Sequence, residues 1–316
     1  MSQPIRVAIV GAGNVGSTLA YALLLSGIAP EIVLIDQDRS RAEGQAMDLD
    51  HAVPFGRPAH VWAGSYADCA GATVTVVSAG ANQRPGESRL DLLRRNIAVF
   101  RDVIGNIVSA NVNGIIVVAT NPVDILTYAT YRIGNLPPAR IIGSGTILDT
   151  ARFRYLLARR FGVDPRSVHA YIIGEHGDSE VPVWSLANIA GARLSTLRGG
   201  NWNTLDPDAK SEIFDKTRRA AYQIIERKGA TYYAVASGLV RIIEAIVRDQ
   251  DTVLYVSSLL QGAYGLNDVC LSLPTVINRS GIDRVLELEL APEEREALEK
   301  SADVLRSYLR QLDWSV

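Results

Sequence analysis

The first half of the chain alternates short, almost wholly apolar runs with segments of helical period. Residues 5–10, 32–35, 74–78, 115–120 and 140–142 read as strands. Continuous apolar runs of this kind mark parallel strands buried on both faces. Between two of them, Leu93, Ile97, Phe100, Ile104 and Ile107 recur at steps of four, three, four and three, which predicts an amphipathic helix. Strands alternating with helices at this spacing predict βαβ units with right-handed crossovers, and so an α/β fold with a doubly wound parallel sheet.

After about residue 150 the pattern changes. Residues 149–161 are helical in period, 168–174 read as a strand, and 206–228 and 231–248 carry long helical patterns. Residues 253–261 and 268–277 alternate like an antiparallel pair, joined by a turn containing Gly262, Gly265 and Asn267. Residues 292–312 form an amphipathic helix with Leu298, Ala302, Leu305 and Leu309 on one face. The expected organisation is two lobes in close contact: residues 1–148, and a mixed α+β domain over 149–316.

Composition narrows the class. With 47% hydrophobic and 21% charged residues, the 316-residue chain can bury a substantial core. A net charge of −2, with acids and bases interspersed, leaves no basic footprint for nucleic acid. No apolar stretch approaches the roughly 18 residues of a membrane span, and the N-terminus has no signal-peptide pattern. Cys69 and Cys270 lie far apart without metal-ligand spacing, so reduced thiols in a cytoplasmic protein are expected, and no metal site.

A phosphate site is written into residues 11–16, Gly-Ala-Gly-Asn-Val-Gly. A strand precedes it, a helix opens at its end, and Asp36 closes the second strand twenty residues after Gly16. Gly11 permits the tight turn, Gly13 lets the backbone approach a pyrophosphate, and Gly16 lets helix pack on strand. The helix N-terminus offers free N–H groups to the phosphates. Asp36 is placed to accept hydrogen bonds from ribose hydroxyls and to repel a 2′-phosphate, which favours NAD over NADP. The first domain is therefore expected to be a Rossmann-type dinucleotide-binding domain.

Proton chemistry is the second requirement. His176 ends an apolar run on a glycine-flanked turn, Gly174-Glu175-His176-Gly177-Asp178, and histidine exchanges protons near neutral pH. Asp149 and Arg152 share a helix face. Asn121-Pro122 ends a strand at the carboxyl edge, where open α/β sheets bind ligands. Arg89 lies in the glycine-bearing polar loop 80–89, a candidate lid. Singly, each has a structural alternative: His176 a packed residue, Asp149 a helix N-cap, Arg89 and Arg152 surface charges, Asn121 a turn former. Together they match the needs of hydride transfer to a 2-oxo acid: a proton donor, a cation polarising the carbonyl, and a planar fork for the carboxylate.

Along nearly its full length the chain resembles the lactate/malate dehydrogenase family. The likeness is carried by the glycine run at 11–16, the loop 80–89, Thr120-Asn121-Pro122, residues 143–149, Arg152-Phe153-Arg154 and residues 174–178. The resemblance implies reversible NADH-dependent reduction of pyruvate to (S)-lactate. His176 is then the acid/base, Asp149 its partner, Arg89 the cation over the carbonyl and Arg152 the carboxylate fork. It also implies that Asn121 contacts substrate and nicotinamide, that Thr231 lines the substrate pocket, and that Val15, Ser144 and Val235 adjoin the cofactor.

Within the family, Gln at one loop position marks lactate and Arg marks malate; here Gln83 stands there, beside Arg84. A malate or other 2-hydroxy acid dehydrogenase remains the alternative, and a non-catalytic NAD-binding protein a more distant one, because binding the dinucleotide needs none of these four charged residues. Arg154 and His169 resemble the pair that binds fructose 1,6-bisphosphate in allosteric bacterial members, which are homotetramers. A surface helix residue and a strand-end residue are their plainer alternative.

Overall fold

The computed structural model describes residues 4–81, 86, 88–197 and 205–314, apart from the side chain of Arg89. Six strands, β1 (Arg6–Val10), β2 (Glu31–Ile35), β3 (His60–Ala63), β4 (Val74–Val77), β5 (Ile115–Val118) and β6 (Ile141–Gly143), form a parallel sheet in the order β3-β2-β1-β4-β5-β6. The connections run through α1 (Asn14–Ser26), α2 (Arg39–Ala52), α3 (Arg89–Ala110) and α4 (Val123–Gly134).

Consecutive strand residues go to opposite faces, and both faces are dry. Ala8, Val10, Ile116 and Val118 pack with Phe100 and Ile104 of α3 and Leu126 of α4. Val7, Ile9, Ile115 and Val117 pack with Leu19 and Leu23 of α1. This is why the strands lack polar alternation. Each buried Leu, Ile or Phe contributes about 1.5–3 kcal/mol.

The second half opens with α5 (Ile147–Phe161), then a three-stranded antiparallel sheet of β7 (Val168–Ile173), β8 (Val181–Ile189) and β9 (Ala192–Arg193). Helices α6 (Pro207–Lys228) and α7 (Tyr233–Val247) follow, then β10 (Thr252–Gln261), β11 (Asn267–Asn278), β12 (Gly281–Val285) and α8 (Pro292–Leu309). The antiparallel pair expected at 253–277 is present as β10 and β11, and it does more than pair with itself. β10 lies antiparallel to β6, so that β10, β11 and β12 extend the parallel sheet to nine strands. Helix α7 packs into the same core layer as α1. The two halves thus share one sheet, and the smaller sheet is bridged to it by Gly174 and Ser272.

Several strand ends fall short of the apolar runs. β5 stops at Val118, and Thr120 turns its hydroxyl to the Ala79 carbonyl at 2.7 Å. Arg140 belongs to a 3₁₀ turn opened by Pro138, not to β6. Strand order reverses between β1 and β4, so the loops following them flank the crevice where such sheets bind ligands.

Candidate active site

The glycines of the first loop have distinct steric duties. Gly11 has φ +105°, and a Cβ there would lie 2.5 Å from the Ala79 nitrogen. A Cβ on Gly16 would come within 1.9 Å of the Gly11 carbonyl oxygen, so α1 sits against the strand only because that side chain is absent. Gly13 is the N-cap of α1 and has open space where its Cβ would be. An anionic pyrophosphate fits this cradle: bare backbone, a helix N-terminus and no competing acid in the first turn. Asp36 is already tied to the loop, its Oδ2 accepting the Ala12 N–H at 2.7 Å and its Oδ1 the Asp38 N–H at 2.9 Å. Val15 on α1 and Val235 on α7 are each partly buried against the same core layer. Ser144 is buried after β6, its N–H donating to the Val118 carbonyl. Asn121 is exposed at the end of β5.

Asp149 and Arg152 on α5 meet His176 on the turn after β7. Asp149 occupies the first turn of α5, with Thr146 as N-cap, so its carboxylate is not spent on capping. Instead its Oδ1 accepts from Arg152 Nη1 at 2.9 Å and its Oδ2 faces His176 Nδ1 at 2.5 Å. The Asp149 side chain is 3% exposed, His176 22% and Arg152 13%, so a dry pair opens onto a partly accessible imidazole and guanidinium. Burial disfavours the imidazolium, but the charge and hydrogen bond of Asp149, with the more distant Asp124 and Glu180, outweigh it and raise the His176 pKa to about 9. Burial also works to raise Asp149, and the His176 and Arg152 charges overcome it, holding the carboxyl below its usual range.

Two buried acids here escaped the sequence reading. Asp124, in the first turn of α4, accepts the His176 backbone N–H at 2.7 Å. Burial pushes its pKa up to about 7, against the pull of its polar neighbours and the imidazole. Glu180, just before β8, is buried; desolvation and the Asp149 charge raise it to about 9. An acid three residues after Asn121, in a helix whose first turns are otherwise mostly apolar, is the available signal for Asp124.

The remaining candidates divide by position. Thr231 and Arg152 line one cavity of about 690 Å³ with Leu148 and Tyr155. Arg89 is the first residue of α3, capped by Ser88, whose hydroxyl accepts the Asp91 N–H. Gln83 and Arg84 lie outside the described residues. Arg154 on α5 donates to the carbonyls of Pro165 and Arg166, away from His176, and His169 is exposed on β7.

Residues 5–143 match the lactate/malate dehydrogenase NAD-binding domain, and residues 146–313 the α/β C-terminal domain of the same family. An L-lactate dehydrogenase of Thermoanaerobacter pseudethanolicus is 51% identical over 98% of this chain and 99% of the relative. One of Gloeobacter violaceus is 53% identical over 96% of this chain and 92% of its own length. The crystal structure of a minor L-lactate dehydrogenase from Enterococcus mundtii, in its ligands-bound form, superposes with a TM-score of 0.95 at 40% identity, covering 99% of both chains. The chain therefore belongs to the lactate/malate dehydrogenase family, and its N-terminal half is an NAD-binding domain.

Proposed function

We propose that the chain catalyses the reversible NADH-dependent reduction of pyruvate to (S)-lactate, with His176 as the proton donor. The observation that carries this reading is the His176–Asp149–Arg152 cluster, a proton carrier and a carboxylate fork sharing one buried acid. With Nδ1 turned to Asp149, Nε2 is left to face the substrate. In the neutral state the remaining proton sits on Nδ1, so Nε2 accepts a proton from the lactate hydroxyl; in the charged state it returns one to the developing alkoxide. Arg152 uses its guanidinium N–H groups not held by Asp149 to grip the substrate carboxylate. Arg89, at the end of the loop leading into α3, polarises the carbonyl, and Asn121 and Thr231 complete the pocket.

The cofactor, held by Gly11, Gly13, Val15, Gly16, Asp36, Asn121 and Ser144, supplies the hydride when bound. Gln83 selects pyruvate over oxaloacetate, because a neutral amide gives a second carboxylate no charged partner. His176→Ala is expected to lose most turnover while NADH binding survives; near-wild-type pyruvate reduction by that variant would refute the assignment.

We further infer a boundary between a cofactor-binding domain (1–148) and a substrate domain (149–316), a homotetrameric assembly and a cytoplasmic location. The exposure of Phe55 at 90%, with Met47, Tyr233 and Ile225 also uncovered, supports self-association. Arg154 and His169 are proposed to hold a phosphate of fructose 1,6-bisphosphate. The buried Arg154 Nε, which has no acceptor among the described residues, supports an anion there. A pyruvate KM and a thermal midpoint unchanged by the sugar bisphosphate would count against it.

A further inference from the structure

The turn that carries His176 is pinned from three directions. Gly174 exchanges two main-chain hydrogen bonds of 2.9 Å with Ser272 on β11, and Asp124 on α4 takes the His176 N–H. The third pin comes from α8, far along the chain. There the Ser301 hydroxyl oxygen accepts the Glu175 N–H at 2.8 Å and lies 3.1 Å from the Ser179 hydroxyl. Ser179 in turn donates from its hydroxyl, and from its N–H at 3.2 Å, to the same Glu175 carboxylate oxygen.

Donor and acceptor rules fix the direction of every bond in this ring. A carboxylate only accepts, so the Ser179 proton goes to Glu175. The proton between the two serines must then come from Ser301. The ring thus runs from the Glu175 N–H to Ser301, from Ser301 to Ser179, and from Ser179 back to the Glu175 carboxylate. Its two members on the turn, residues 175 and 179, bracket His176. Ser301 is fully buried, and the approach is close: Gly174 has φ +87°, and a Cβ there would lie 2.8 Å from the Ser301 oxygen. A hydrogen-bond ring of this kind, anchored on the buried Ser301 and reaching the half-buried Glu175 and Ser179, selects one arrangement of the turn over its neighbours.

We propose that Ser301 is a positioning residue for proton transfer by His176: through Glu175 and Ser179 it sets where the turn holds the imidazole relative to Asp149 on α5. The inference rests on the reading of His176 as proton donor. Its force lies in the geometry of transfer, since a misplacement of about 1 Å costs on the order of 10²-fold in rate.

The test compares wild type, Ser301→Ala, Ser179→Ala and the double variant for NADH affinity, thermal midpoint, and kcat and kcat/KM for pyruvate across pH. Each single variant is expected to lose about 10- to 100-fold in kcat while NADH affinity stays within about twofold of wild type. The apparent pKa in kcat/KM moves toward acid as the Asp149 contact loosens. The double variant is expected to lose little more than the worse single one, because the ring acts as a unit. Ser179 is only half-buried, so its variant carries the test even where Ser301→Ala folds poorly. A lowered midpoint with wild-type kcat and pH profile in either single variant, or fully additive losses, overturns the proposal. A wild-type enzyme that reduces no 2-oxo acid would contradict the site reading itself, and the positioning role with it.

Discussion

His176 Nδ1 and Asp149 Oδ2 lie 2.5 Å apart, across the gap between the turn after β7 and the first turn of α5. The same carboxylate holds Arg152 at 2.9 Å, so one buried acid orients both the imidazole and the guanidinium. Moving either helix or turn would therefore disturb binding and proton transfer together.

The pair sets the pH dependence. Pyruvate reduction needs the protonated imidazole, so kcat/KM for pyruvate is expected to hold through neutral pH and to fall as pH rises through about 9, the raised pKa of His176. Lactate oxidation should show the opposite limb. The stability contributed by the pair runs in the same direction: it is complete below about 6.5, the ordinary histidine value, and is lost as pH rises through the raised one. Steady-state profiles in both directions, with denaturation midpoints at each pH, check the sign.

Asp149→Asn removes the charge and leaves the shape. We expect kcat to fall by about 10²–10⁴-fold, since the imidazolium loses its stabilising partner and the ring its orientation. The pH limb should move toward the ordinary histidine range. Retention of the alkaline limb in that variant would show that Asp149 is not what raises His176.

Arg152→Lys keeps the charge but not the fork. A point charge cannot hold Asp149 and a substrate carboxylate in the same plane. The expected outcome is a rise in pyruvate KM of about 10- to 100-fold, from the loss of about 1.5–3 kcal/mol of charge-assisted bonding. NADH affinity, measured by fluorescence titration, should be unchanged.

Asp36, proposed to bind the ribose hydroxyls, also accepts the Ala12 and Asp38 N–H groups. Asp36→Ser is expected to narrow the preference for NADH over NADPH, because it removes the charge that repels a 2′-phosphate. It should also lower the thermal midpoint, because the carboxylate no longer ties the glycine loop. The two effects are separable by comparing the kcat/KM ratio for the two cofactors with the melting curve.

Asp124→Ala leaves the buried His176 N–H without its acceptor, which costs about 1–3 kcal/mol of stability. Asp124→Asn keeps an oxygen at that position. Recovery of activity in the Asn variant relative to the Ala variant would identify the hydrogen bond, rather than the charge, as the contribution.

How much of this was legible in the sequence depended on whether the pattern was local. β1, β2, β4 and β5 are apolar runs buried on both faces, and α3 shows the period of four and three, so both could be read directly. Helix α2 is harder, because only Ala42, Ala46 and Leu49 are buried among its charged residues. β8 mixes buried with half-exposed positions, and β3 is short and largely exposed at its start. That β10 would join the parallel sheet through Ser257 and Gly143 depends on tertiary packing, which no window of sequence contains. His176, Asp149 and Arg152 were found from their chemistry. Asp124 was not, because its role is to accept a main-chain N–H 52 residues away, and a backbone donor leaves no trace in residue identity. Ser301, 126 residues from Glu175, was missed for the same reason.

We propose that this site reduces pyruvate with NADH, His176 donating the proton and Gln83 disfavouring a second carboxylate. The most direct test is kcat/KM for pyruvate against oxaloacetate, measured with the unmodified enzyme under the same conditions. A missing charged partner worth about 1.5–3 kcal/mol predicts a preference for pyruvate of about one to two decades. Equal efficiencies, or a preference for oxaloacetate, would contradict it.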